Sequence, residues 1–216
     1  MWQHKGALLL PVFLLVCFGA AGQVAKTPFS AFGIGEYYGN GLAHNQGMGG
    51  VGISNPQSYY GNNLNPALLV YNKVTTFSAG ILGERKTLRD SSRSERNVSG
   101  NLNYLVLTMP VKYSKWVPTR WSTSLGLQPY SEINYRFSYT QAIINSPNTA
   151  SVEEVGSGGI NQAFWANGMS LTPDVSVGVR AAYLFSAMTT ETSTELDGSA
   201  QSVTYTPTVY QRVNVS

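Results

Sequence analysis

Residues 175–186 read VSVGVRAAYLFS, and the fold is decided by how this run is read. Val175, Val177, Val179, Ala181, Tyr183 and Phe185 share one parity, and Ser176, Gly178, Arg180, Ala182 and Ser186 share the other. A period of two belongs to an extended strand, whose side chains alternate between opposite faces. Valine and the aromatics suit a strand because their branched or flat side chains pack on a pleated surface. Thr172-Pro173-Asp174 just before the run is turn chemistry, since proline presets one dihedral and aspartate bonds its own backbone.

The same texture spreads outward. Trp121, Thr123, Leu125 and Leu127 oppose Ser122, Ser124, Gly126 and Gln128. Ile133, Tyr135, Phe137 and Tyr139 resume that parity against Glu132, Asn134, Arg136 and Ser138, which predicts one continuous apolar face. Phe77, Ala79 and Ile81 mark an earlier strand, residues 102–113 another, and a last one begins near Ser202. The predicted connections run long (84–100, charged), short (114–119), long (140–157), tight (172–174) and long (189–201). That rhythm, with long outer loops and short periplasmic turns, belongs to bacterial outer-membrane barrels. Tyr113, Trp116 and Trp121 gather at a short turn, where an aromatic girdle is expected. The expected fold is therefore all-β, an antiparallel transmembrane β-barrel. Six strands fall short of the eight in the smallest such barrels, so the reading is an N-terminal part with an open, curved sheet.

Composition agrees. Charged residues make up 12%, about half the usual share of a soluble domain. The net charge of +3 comes without a basic stripe interleaved with stacking aromatics, which excludes nucleic acid as a partner. The single cysteine, Cys17, lies in an apolar leader at residues 1–22. There Lys5 precedes an apolar run and Ala20-Ala21-Gly22 offers a cleavage site, so the chain is expected to be exported. One histidine, His44, remains after the leader, too few for a usual zinc site. Residues 47–52, GMGGVG, match a dinucleotide fingerprint, but no strand precedes them and Pro56 stands where the helix would run. Gly156-Ser157-Gly158-Gly159 lacks the spacing of a nucleophile elbow. No catalytic residue, metal or cofactor is expected, and the protein is not read as an enzyme.

Residues 28–69 are too broken by Gly, Asn and Pro for regular structure, yet too rich in Phe, Tyr, Leu and Ile for a solvated linker. Such a segment stays compact only when something surrounds it. Residues 23–73 are accordingly read as a plug, and 74–216 as barrel wall. Asn65 and Pro66 suit an N-cap and first helical position. Pro129 sits inside the β pattern and cannot donate to a ladder. It marks either a bulge that kinks the wall inward or a plain turn at Pro129-Tyr130-Ser131.

Together these residues resemble the FadL-like family of outer-membrane transporters. The resemblance rests on Met48-Gly49-Gly50-Val51-Gly52-Ile53, Asn65-Pro66-Ala67, Leu127-Gln128-Pro129-Tyr130-Ser131, Gly156-Ser157-Gly158-Gly159-Ile160 and Tyr183-Leu184-Phe185. It implies a fourteen-stranded barrel closed by an N-terminal hatch, with a kinked third strand opening a side port. Gly49, Gly50, Asn65, Pro66 and Ala67 would then belong to the hatch, and Pro129, Tyr130 and Ser131 to the kink. The implied function is passive uptake of a hydrophobic small-molecule ligand, such as a long-chain fatty acid. Implied surroundings are outer-membrane lipid and lipopolysaccharide, the latter met by the basic stretch 85–96. The alternative is a barrel that docks components of protein secretion.

Overall fold

The computed structural model describes residues 27–89, 91, 94–111, 120–143, 148–196, 200–209 and 211–215. The leader and the expected girdle residues Tyr113 and Trp116 lie outside them. The strands are β1 (Glu36–Tyr37), β2 (Thr76–Arg89), β3 (Ser94–Val111), β4 (Trp121–Ala142), β5 (Thr149–Ser170), β6 (Ser176–Leu196), β7 (Ala200–Thr208) and β8 (Gln211–Val215). They form one antiparallel sheet in the order β2-β3-β4-β5-β6. β7 and β8 pair with successive stretches of β6, and β1 pairs with β4. The sheet is open, with β2 at one end and β7 and β8 at the other. No helix among the described residues is long and apolar enough to cross a membrane, which says nothing of crossing by strands.

The predicted long loops are mostly strand. The ladder between β2 and β3 runs on to Arg89↔Ser94, β4 and β5 pair to Ala142↔Thr149, and β6 and β7 to Leu196↔Ala200. Polarity misled the sequence reading here. A hairpin extends wherever each backbone group finds a partner, and threonines such as Thr189, Thr190 and Thr192 favour extended backbone through β-branching.

The two faces differ. One is bare, and Val177 (45% exposed), Val179, Leu125, Leu127 and Ile81 (83%) project from it. The other is covered by residues 27–73, which form a second layer. Leu42 and Leu69 from that layer bury themselves with Tyr104, Val106, Phe164, Ala166 and Ala182 of the sheet. Arg180, of the opposite parity to Val177 and Val179, lies on this covered face at 6% exposure.

Two bulges shape the sheet. On β3 the register skips Asn103, because Gly80 pairs with Tyr104 and Ile81 with Leu102. On β4 it skips Tyr130, because Pro129 pairs with Asn161 and Ser131 with Ile160. β4 runs unbroken through this point, so no turn divides it. The extra residue swaps the faces, as any one-residue slip must. Leu125 and Leu127 project from the bare face, whereas Tyr135 is buried on the covered face, packed over Gly156. The expected single apolar face along β4 is thus corrected: parity persists in the sequence, and the bulge turns it over.

Candidate functional site

The covering layer holds itself together with asparagines. Asn65 caps the 3-10 helix Pro66–Tyr71, its Oδ1 accepting from Ala67 N–H at 3.1 Å. Thr27 does the same for Pro28–Ala31. Asn45, within helix α1 (Ala43–Gly47), accepts from Leu42 N–H at 3.1 Å and donates to the Val51 carbonyl. Asn62 donates to the Gly52 carbonyl at 2.7 Å and accepts from Leu64 and Asn65 N–H. Asparagine carries both donors and acceptors, so it replaces the ladder that irregular backbone lacks. Gly49 and Gly50 have φ of +72° and +85°, and their N–H groups return to Gln46 and Asn45 carbonyls. They terminate α1 in the left-handed region that glycine occupies without strain.

A buried polar row joins this layer to three strands. Asn63 Nδ2 donates to Gln128 Oε1 at 2.8 Å and to the Asn40 carbonyl at 3.0 Å. Gln128 and Gln162 both donate to Asn40 Oδ1, at 3.2 and 3.0 Å. Arg180 Nη2 donates to Gln162 Oε1 at 3.0 Å, and its guanidinium lies 4.5 Å from the centroid of the Phe164 ring. Truncating Asn40 to alanine leaves two buried amide donors without their acceptor. The expected loss is about 2–4 kcal/mol of stability, read by equilibrium urea unfolding, against little change for the exposed Met48→Ala.

Pro66 and Ala67 press onto the sheet at two glycines. A Cβ on Gly168 would overlap the Pro66 carbonyl, and one on Gly178 would overlap the backbone of Ala67. The Asn65-Pro66-Ala67 motif is therefore a contact between layers, whereas Gly49 and Gly50 sit on the exposed side of the covering segment.

The third feature is a seam. β3 and β4 pair only from Leu105↔Leu127 to Val111↔Trp121. Beyond that point they separate, and the covering layer enters. Glu36 and Tyr37 of β1 pair with Glu132 and Ser131, and Tyr38 N–H donates to the Tyr130 carbonyl at 3.1 Å. Ser131 Oγ donates to the Ile34 carbonyl at 2.6 Å. Thr27 N–H donates to the Asn134 carbonyl, whose own N–H donates to Ser30 Oγ. Lys86 of β2 pairs across the seam with Glu36 of β1 and, at 3.4 Å, with Glu84 of its own strand. Burial and then the neighbouring Glu132 carboxylate raise the Tyr38 hydroxyl far above its ordinary pKa, so it stays a neutral donor to Glu132. His44 stacks on Tyr60 with centroids 5.4 Å apart, and burial lowers its pKa below 6.5.

This arrangement binds one layer to another; among the described residues no three His, Cys, Asp or Glu side chains assemble a metal site. The structure brings Ser131, Tyr130, Pro66 and Ala67 into interlayer contacts. Sequence reasoning missed Asn40, Asn63, Gln162, Arg180, Glu36 and Lys86. Two of them carried a signal: Asn63 sits in the Asn62-Asn63-Leu64-Asn65 run, and Arg180 interrupts the most regular alternation in the chain.

A family model described as BamG matches residues 4–214. No curated protein and no solved structure matches. The family match overturns the FadL-like resemblance and, with it, the fatty-acid channel. The hydrophobic ligand falls too, as do lipid and lipopolysaccharide as recognised binding partners. The physical reason lies in what the shared motifs do. Gly49-Gly50, Asn65-Pro66-Ala67 and Pro129-Tyr130-Ser131 satisfy a helix end, a cap and a bulge. Those are needs of backbone geometry, and they specify no ligand.

Proposed function

The chain belongs to the BamG family, and from that membership we propose that it is an outer-membrane component working with the Bam complex, in a docking rather than a catalytic role. The supporting observation is the polar row through Asn40, Gln128, Gln162 and Arg180, which ties the covering layer rigidly to the sheet. A rigid, filled scaffold suits docking.

In this reading the leader exports the chain, residues 23–73 plug a transmembrane barrel, and residues 74–216 supply its wall. The bare face supports the wall. Phe77, Ile81, Leu125, Leu127, Val177 and Val179 form a spread of apolar surface that water disfavours and hydrocarbon accepts. Spanning needs about 9–11 tilted residues. β4, β5 and β6 are each at least 21 residues long, so their polar upper halves project beyond the bilayer.

The test is affinity purification of the tagged full-length protein from detergent-solubilised membranes. Bam-complex subunits are expected to co-purify in comparable amounts. Recovery of the protein from the outer membrane without any of them would refute the role.

A further inference from the structure

Among the described residues, the seam leaves backbone groups without a partner. Tyr130 and Asn134 bond to the covering layer through backbone groups that point away from β5. In an antiparallel strand this direction recurs at every second residue. The N–H and C=O groups of Arg136, Ser138, Thr140 and Ala142 therefore face the seam as well. Among the described residues none of these four has a backbone partner on that side. Among the described residues, the backbone ladder of the facing strand, β3, runs with β2 from Ser94 to Tyr104.

Exposed edges are normally blunted by proline, by charge, or by a covering segment. Lower β4 has such protection in Pro129 and β1. Residues 137–142, FSYTQA, carry neither proline nor charge. Beside them on the covered face runs a row of stacked rings, Tyr135, Phe137 and Tyr139, with centroids 5.3 and 6.3 Å apart. Tyr135 leans over Gly156 toward β5, away from the seam.

We propose that the β4 edge from Arg136 to Ala142 takes an extended segment of a Bam-complex polypeptide by strand addition. This rests on the function proposed above and names its surface. Only a polypeptide backbone offers donors and acceptors at the spacing this edge requires. The added strand places apolar or aromatic side chains beside Phe137 and Tyr139, and polar or acidic ones beside Arg136 and Ser138, as cross-strand pairing favours.

The test places a photo-crosslinking amino acid at Tyr139 of the full-length protein in its native membrane. Two backgrounds are compared, Ser138→Pro/Thr140→Pro and Ser138→Ala/Thr140→Ala. Proline removes seam-facing N–H groups and leaves the bonds to β5 intact. The expected result is an adduct with a Bam-complex subunit. The proline pair lowers its yield about tenfold or more, the size expected for two lost hydrogen bonds, and the alanine pair leaves it unchanged. Trypsin resistance of the sheet checks folding. Should the proline pair misfold, Thr140→Lys, which keeps its N–H and adds the charge that natural edges use, must give the loss. An adduct indifferent to both variants overturns the proposal, as does one formed only with a second copy or with the protein's own N-terminal segment. Co-purification with the Bam complex but no adduct defeats the docking edge alone. Absence of co-purification defeats the functional role as well.

Discussion

Gly178→Val will lift the 3-10 helix Pro66–Tyr71 off the sheet. A Cβ at this position meets the Pro66 carbonyl carbon and the Ala67 nitrogen and Cα, all backbone atoms. Backbone inside a capped turn cannot rotate aside as a side chain would. Valine is a good strand residue, so β6 itself tolerates the change and the strain falls on the interface. Lifting the turn exposes Leu69, now 1% exposed, and Val70. Overpacking and lost burial together should cost about 3–5 kcal/mol. Limited chymotrypsin digestion reads this directly: cleavage at Leu68, Leu69 and Tyr71 should become rapid in the variant while the strands stay protected. Gly83→Val, where an added Cβ meets nothing within 4 Å, should leave the pattern unchanged.

Deleting Tyr130 should do more damage than any substitution at that site. The deletion removes the extra residue of the bulge, and β4 beyond it must slip by one against β5 or rotate by a face. Tyr135 would leave its seat over Gly156, and Ser131 would lose the Ile34 carbonyl. The pairing of β1 with Glu132 and Ser131 would fail at the same step. We expect a fall of about tenfold or more in folded protein recovered from the membrane, which is a free-energy change above about 1.4 kcal/mol. Tyr130→Ala keeps the residue count and loses the edge-on contact with Tyr37, whose ring lies at 5.0 Å and 70°. That contact is worth about 1 kcal/mol, so the substitution should fold. Equal damage from deletion and substitution would show that the ring, not the register, matters.

The alternation at residues 175–186 predicted the first half of β6 and its bare face, because period two depends only on the chain itself. The turn at Thr172-Pro173-Asp174 was equally local, and Leu171 and Thr172 N–H both close onto the Val175 carbonyl there. Face assignment on β4 failed for a different reason. A bulge leaves parity in the sequence intact and is visible only in the register with β5. The charged stretch after Glu84 was taken for loop because polarity was weighed above pairing; Lys86 in fact sits opposite Asn97 within the ladder. The buried amides were hidden because their partners lie 65 to 122 residues away in the chain, beyond any local pattern. The family was misjudged because motifs that solve backbone problems recur wherever those problems do.

The chain's own N-terminal segment is seated against β4 at the seam. Tyr37 and Ser131 are opposite one another in the β1–β4 pair, and opposed residues lie roughly 4.5–5.5 Å apart, within disulfide range. The only native cysteine is Cys17, in the leader. Tyr37→Cys/Ser131→Cys, isolated with the outer membrane under mild oxidation, should therefore form an intramolecular disulfide in most molecules, seen as a reducible change in electrophoretic mobility. Thiols that stay reduced, or that link only two separate chains, would contradict it.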